Sequence, residues 1–183
     1  QFNQPALVEE FLNGTEYTIG FIGNYLLPIL EIDFSKIPGN PLLRDPHIKN
    51  IENPYISHLP WNEKAKKFAS LAIKAHEALE IRDYNRMDFR ERDEQLYFLE
   101  ANVIPGLHPT EADLTNMCRH AGIAHADMVV LILSSAVKRL SEQYPERFKK
   151  KTELLNELAK ETISNATYAG EIVYQDRVYN LLG

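Results

Sequence analysis

The run Arg86-Met87-Asp88-Phe89, then Phe98-Leu99-Glu100-Ala101-Asn102, closed by Pro105-Gly106, decides the reading of this chain. Two short apolar segments flank the charged stretch Arg90-Glu91-Arg92-Asp93-Glu94, a pattern that predicts two strands joined by a solvated turn. Strand side chains alternate between faces with a period of two. With a loop over Glu91–Gln95 and Arg90 opposite Leu96, Asp88 faces Phe98 and Arg86 faces Glu100. That register puts Arg86, Asp88, Glu100 and Asn102 on one face, with Met87, Phe89, Tyr97 and Leu99 on the other.

The polar face has a specific chemistry. Two carboxylates, an amide oxygen and a guanidinium converge beside a Pro-Gly turn. Hard cations such as Mg²⁺ take oxygen ligands, usually one or two carboxylates together with the phosphates of a nucleotide. Such an ion neutralises phosphoryl oxygens, and a neighbouring arginine holds the same charge bidentately. From these residues alone a plainer alternative stands: a solvated hairpin face with Arg86 and Glu100 as a surface ion pair.

Arg86-Met87-Asp88-Phe89 followed by Leu99-Glu100-Ala101-Asn102-Val103-Ile104-Pro105-Gly106 resembles the metal-binding end of the ATP-grasp ligases, most closely the D-alanine–D-alanine ligases. The resemblance takes in Leu7-Val8-Glu9-Glu10-Phe11-Leu12-Asn13-Gly14-Thr15-Glu16-Tyr17-Thr18 and the Ala121-Gly122-Ile123 turn. It runs collinearly over residues 5 to 140, far more specific than any single motif. It implies an α+β fold, the C-terminal half of an ATP-grasp domain, with an antiparallel sheet backed by helices. Residues 1–142 would form that subdomain and 143–183 an unassigned helical extension or linker.

The implied activity is ATP-dependent joining of a carboxylate to an amine through an acyl phosphate, as in peptidoglycan precursor synthesis. ATP and Mg²⁺ (or Mn²⁺ in its place) are the implied cofactors. Asp88, Glu100 and Asn102 are the implied metal ligands, and Arg86 with the Gly106 N–H the stabilisers of the transferring phosphoryl group and the later oxyanion. At the adenine end, the Glu9 backbone would accept from the amino group, Phe11 would pack near the base, and the Leu12 N–H would meet a ring nitrogen. Glu16 would accept from the ribose hydroxyls. Core packing for Phe11 and Leu12, and an exposed strand carboxylate for Glu16, are the alternatives on the residues alone.

Two segments depart from the family pattern. Where relatives carry a mobile loop with a Lys-Tyr pair, this chain has Asp45-Pro46-His47-Ile48-Lys49-Asn50; Lys49 can stand in for the lysine, but no tyrosine follows it. After the Pro-Gly turn, Leu107-His108-Pro109-Thr110-Glu111 offers one hydroxyl where D-alanine ligases present several. His108 and Glu111 suit recognition of a different amine, and Thr110-Glu111-Ala112-Asp113 equally reads as a capped helix start. Two other functions therefore stay open: a ligase for another acid–amine pair, and a non-catalytic nucleotide-binding module.

The net charge of −6 argues against non-specific nucleic-acid binding, and 183 residues suffice to bury a core. The single cysteine, Cys118, fits a reducing cytoplasm, and its place in an apolar helix predicts a buried small hydrophobe. Neither a membrane-spanning apolar run nor a signal-peptide pattern is found, so no membrane partner is expected. The expected partners are amino-acid substrates, the remaining N-terminal part of a longer parent protein, and a second subunit in a homodimer. The sequence lacks the glycine-rich phosphate loop of the other ATP-grasp half, so the polypeptide alone is expected to bind ATP weakly and to be inactive.

Strands are predicted over Glu16–Ile22 and Leu26–Phe34, and a proline- and asparagine-rich loop over Ser35–Pro60, with His47 and His58 as loop histidines. Helices are predicted over Asn62–Leu79 with Asn62 as N-cap, Ala112–His120, Ala126–Leu140 and residues 145–163. His76 falls on the apolar stripe of the first helix and reads as a core or boundary residue.

Overall fold

A computed structural model describes residues 5–37, 56–165 and 173–174. Strand β1 (Glu16–Ile22), buried at all seven positions, is the axis of the sheet. It pairs antiparallel along its whole length with β5 (Tyr84–Arg92), from Glu16 opposite Arg90 to Ile22 opposite Tyr84. Its other edge is shared between β2 (Tyr25–Leu26) at the Phe21–Ile22 end and β3 (Leu30–Ile32) at the Glu16–Thr18 end. Strand β4 (Ile56–His58) continues beyond β3, β6 (Gln95–Asn102) lies beyond β5, and β7 (Val173–Tyr174) pairs with β2.

The expected single strand over Leu26–Phe34 is broken at Leu27-Pro28-Ile29, because proline has no N–H for a ladder. Leu27 N instead donates to Gly20 O, and Leu59 N to Ile29 O. The segment read as a loop from Ser35 to Pro60 contains the end of a 3₁₀ turn (Phe34–Lys36) and β4, which places His58 on a strand. Residues 38–55, with His47 and Lys49, lie outside the described residues.

Alternation along β1 decides which helix covers which face. Tyr17, Ile19 and Phe21, with Met87 and Phe89 of β5, pack against Ala65, Phe68, Ala69, Ala72 and Ile73 of α1 (Glu63–Ala78). That helix starts as predicted: the Asn62 side-chain oxygen accepts from Ala65 N at 3.0 Å. Ile22, Leu27 and Leu30 point the other way, into a second core with Leu114, Met117 and Cys118 of α2 (Asp113–His120). Met128 and Leu131 of α3 (His125–Gln143) and Ala159 of α4 (Pro145–Asn165) complete it.

Gly20 makes the approach of α2 possible. A Cβ at this position would lie 2.6 Å from Met117 Sδ and 2.8 Å from Leu114 Cδ1. Because Gly20 is opposite Arg86 in the ladder, the helix that rests on it arrives beside that arginine.

The central hairpin is tighter than expected. Its turn is two residues, Asp93 and Glu94, both in the left-handed region at φ 53° and 61°, with Arg92 opposite Gln95. Arg90 pairs with Tyr97 and Phe89 with Phe98; a bulge at Leu99 then brings Glu100 opposite Asp88 and Asn102 opposite Arg86. The shorter turn shifts the register and the bulge shifts it back. The four polar residues therefore share a face as predicted, but Tyr97 changes sides, and Phe98 meets Phe89 edge-on at 5.6 Å. Left-handed backbone costs roughly 1–2 kcal/mol per ordinary residue. Replacing Asp93→Asn together with Glu94→Gly should raise unfolding free energy by about 1 kcal/mol. A urea denaturation midpoint that stays put or falls would contradict this turn geometry.

Candidate functional site

Arg86, Asp88 and Arg90 occupy alternate positions of β5 and project from the α2 side of the sheet, beside Gly20, Thr18 and Glu16 of β1. Arg86 serves three carboxylates. Its Nη1 donates to Asp113 at 2.6 Å, while Nη2 lies 2.7 Å from Asp88 and 3.5 Å from Glu100. Burial works against the guanidinium charge, but Asp88 and Asp113 hold its pKa above the ordinary arginine value. Among the described residues its Nε has no hydrogen-bond partner.

Asp88 also accepts from the buried Thr18 hydroxyl. Burial, with repulsion from Glu16 and Asp113, pushes its carboxyl up to about 6 against the pull of Arg86 and Thr18. The carboxylate thus sits where its charge is poorly hydrated. Asn102 Nδ2 donates to Glu100 at 2.7 Å, which leaves the Asn102 amide oxygen as the free end of that side chain. Asp88, Glu100 and Asn102 accordingly present oxygen donors only, the set a hard dication takes. Among the described residues no three His, Cys, Asp or Glu side chains are grouped to hold a metal, and the hairpin set contains two of these types plus an amide.

Further along the same face, the sequence reading passed over Arg90. Its Nη1 donates to the Leu12 carbonyl at 2.8 Å and its Nη2 approaches Glu16 at 3.4 Å. The Phe34 ring lies 4.7 Å from its guanidinium and the Phe11 ring 5.3 Å. A single buried cation therefore gathers Phe11, Leu12 and Glu16 at one end of the hairpin face. The signal was present in the spacing: Arg90 is two residues beyond Asp88 and so shares its face. Asp113 was passed over as well, because its meeting with Arg86 is tertiary. Glu9 stands apart, exposed on an extended segment.

Gly106 lies on the exposed segment between β6 and α2. Its φ is outside the left-handed region, and a Cβ there would meet only Ala112 Cβ, at 3.9 Å. The same segment corrects the predicted helix cap. Ala112 precedes α2 with no side-chain cap bond, and Thr110 N and Glu111 N donate instead to His108 Nδ1, at 3.3 and 3.2 Å. Arg119 fixes the Pro109 carbonyl at 3.0 Å, and His125 Nε2 donates to the Leu107 carbonyl at 2.8 Å.

Two further titratable groups, His76 and Cys118, are part of the packed interior. His76 is buried, stacked on Phe21 at 4.6 Å, and accepts from Asn85 Nδ2 at 2.8 Å; burial holds its pKa below the ordinary histidine value. Cys118 is fully buried as expected, its thiol pushed up to about 12 by that burial. A cleft of about 420 Å³ opens between the Gly23-Asn24 turn, Arg82-Asp83, α3 and α4, and none of the candidate site residues lines it. Among the described residues no single helix is long and apolar enough to cross a membrane.

An antiparallel sheet with helices on both faces and this charged hairpin is the architecture of the C-terminal region of an ATP-grasp domain. A family model described as "D-ala D-ala ligase C-terminus" matches residues 1–134, and the chain belongs to that family. The D-alanine–D-alanine ligase of Sinorhizobium fredii is 30% identical over 142 residues, covering 74% of this chain and 45% of that protein. The corresponding ligase of Desulforamulus reducens is 29% identical over 142 residues, covering 76% and 45%. The chain thus spans just under half the length of these relatives.

Among solved structures, D-alanine–D-alanine ligase from Bacillus anthracis complexed with ATP superposes with a TM-score of 0.58 at 19% identity, over 73% of this chain and 40% of that one. The Coxiella burnetii ligase gives 0.56 at 18% identity, over 80% and 38%. These two likenesses establish the shared fold.

Breaking a buried ion pair from one side strands the other charge, typically at a cost of about 3–5 kcal/mol. Arg90→Met should therefore lower unfolding free energy by about 3 kcal/mol, and adding Glu16→Leu should restore most of it. Equal stability of the single variant and the parent in urea titrations would show that Arg90 does not organise this end of the face.

Proposed function

We propose that this chain supplies the C-terminal half of the active site of an ATP-dependent carboxylate–amine ligase, resembling the D-alanine–D-alanine ligases it matches. The observation that carries the reading is the convergence of Arg86, Asp88, Glu100 and Asn102 on one face, beside the Arg90 cluster that gathers Phe11, Leu12 and Glu16. In this reading the face has two ends. The Arg90 end receives the base and ribose, with Glu16 toward the ribose hydroxyls and Phe11 against the base. The Arg86 end receives the phosphates.

Asp88, Glu100 and Asn102 would hold one or two Mg²⁺ ions, whose contribution is to neutralise phosphoryl oxygens. The chain's own part is positioning and charge. A substrate carboxylate oxygen attacks the γ-phosphorus and ADP leaves, giving an acyl phosphate. The amine nitrogen then attacks the acyl carbon, loses a proton and expels phosphate. Arg86 is placed to stabilise the oxygen charge that builds in both steps, and the Gly106 N–H to share the second. Leu7, Val8 and Ile104 are more than four-fifths exposed, on the chain segments that lead into and out of this face. That exposure suits a surface covered by the remaining ATP-grasp half, and residues 143–183 are then an extension beyond the catalytic unit.

One observation favours an amine other than D-alanine. His108 Nδ1 already accepts from two backbone N–H groups, and the Thr110 hydroxyl lies 3.2 Å from the same nitrogen. The one hydroxyl of this segment is thus packed against its own turn.

The test is phosphate release from Mg-ATP by the protein that contains both ATP-grasp halves, screened with D-alanine and then with other amino acids. Release stimulated by an acid–amine pair is expected, with Arg86→Ala lowering turnover by roughly 10²–10³-fold. The 183-residue chain alone should show no turnover. Nucleotide binding without release for any pair would replace the ligase reading by that of a nucleotide-binding module.

A further inference from the structure

One face of α3 reads Leu131, Ser134, Ser135, Lys138, Arg139 and Glu142, the three- and four-residue steps that align side chains on a helix. Leu131 and Ser134 are buried, but the stripe then turns charged where a helix packed on a sheet would stay apolar. On α4 the same happens with Asn156, buried Ala159 and Lys160. Both stripes border the cleft of about 420 Å³, which the Gly23-Asn24 turn and Arg82-Asp83 close on the other side.

Protein contacts alone hold the walls of this cleft. Gly23 N donates to the Asp83 carbonyl at 2.5 Å, and Arg139 grips the Asp83 carboxylate through Nε at 3.1 Å and Nη2 at 2.5 Å. Gly23 is in the left-handed region at φ 55°, and a Cβ there would lie 3.1 Å from Ser135 Oγ, so α3 packs closely on the turn. Ser134 Oγ donates to the Asn156 amide oxygen at 3.4 Å, which links α3 to α4 and leaves the Asn156 N–H groups as donors. A concave space of this size, with an apolar floor and a few convergent polar groups, is the usual form of a small-molecule site.

Its charge is the reverse of the chain's. Arg82, Lys138, Arg139 and Lys160 line it against Asp83 and Glu142, an excess of two positive charges in a chain whose net charge is −6. Asp83 is taken by Arg139, and among the described residues Arg82, Lys138 and Lys160 form no ion pair with a carboxylate. A cleft lined by one sign of charge concentrates ions of the other. Lys138, Arg139 and Lys160 all lie beyond residue 134, where the family match ends.

We propose that this cleft is a binding site for a small organic dianion, a phosphate monoester or a dicarboxylate. Arg82, Lys138 and Lys160 meet its charge, Asn156 donates to it, and its carbon skeleton rests on Ile22, Leu131 and Ala159. The site is separate from the hairpin face and does not depend on the ligase reading. Along β1 it begins at Ile22, opposite Tyr84, past the pairing of Gly20 with Arg86.

The experiment titrates the ¹⁵N-labelled 183-residue chain with phenyl phosphate, with succinate and with uncharged benzyl alcohol, and follows backbone amide shifts. At least one anion should give saturable shifts at the Gly23 turn, Arg82-Asp83 and the facing parts of α3 and α4, and benzyl alcohol none. Lys138→Ala combined with Lys160→Ala should raise the dissociation constant read at these amides by about tenfold or more, because two charge-assisted contacts are lost. Both lysines are exposed, so the double variant keeps the fold. Lys150→Ala, on an exposed α4 lysine outside the cleft, should bind as the parent does.

Saturation by phenyl phosphate alone would identify the ligand as a phosphate monoester, and by succinate alone as a dicarboxylate. Saturation by both would show that the paired charge is what the cleft reads. No saturable shift with either anion would overturn the proposal. So would benzyl alcohol binding as tightly as the anions, unchanged affinity in the double variant, or an equal loss in Lys150→Ala.

Discussion

Two guanidiniums on one strand hold four carboxylates between them, and much of this structure follows from how they do it. Arg86 and Arg90 sit on alternate positions of β5, pointing from a strand that is paired on both sides. Arg90 is matched by Glu16 and ties down the segment that carries Phe11 and Leu12. Arg86 reaches Asp88, Glu100 and Asp113. The Arg90 end anchors a chain segment, and the Arg86 end is the candidate site.

The apolar framework makes that arrangement affordable by keeping the charged stripe in place. Alternation along β1 commits Tyr17, Ile19 and Phe21 to α1 and leaves Glu16, Thr18 and Gly20 on the site face. Thr18 then bonds Asp88, and Gly20 admits α2. A bulky side chain at residue 20 would lift that helix from the sheet and separate Asp113 from Arg86. Packing and electrostatics are thus set by the same strand at alternate residues.

Much of this was legible in the sequence because the decisive patterns are local. Period-two spacing identified the polar hairpin face, and helical spacing with Asn62 at the start identified α1. The register was misread because Asp93 and Glu94 are not residues that advertise a two-residue turn, and because nothing in Tyr97-Phe98-Leu99 announces a bulge. The shift and the bulge offset each other, so the face survived while Tyr97 did not. The cap at Thr110 failed for a different reason: the helix starts only at Asp113, and Thr110 and Glu111 stand in a preceding turn whose N–H groups donate to His108. Asp113 and Arg90 were missed as partners since their contacts join residues far apart in the chain, which spacing rules cannot see.

The claim at the centre of this account is that the hairpin face is an oxygen-donor site for a divalent cation and its nucleotide. Crystals of the chain grown with Mn²⁺ and ATP would test it through the anomalous scattering of manganese. The account predicts an anomalous peak bounded by Asp88, Glu100 and the Asn102 amide oxygen, with Arg86 still turned toward Asp113. Ordered nucleotide with manganese held by other residues, or with none at this face, would contradict it.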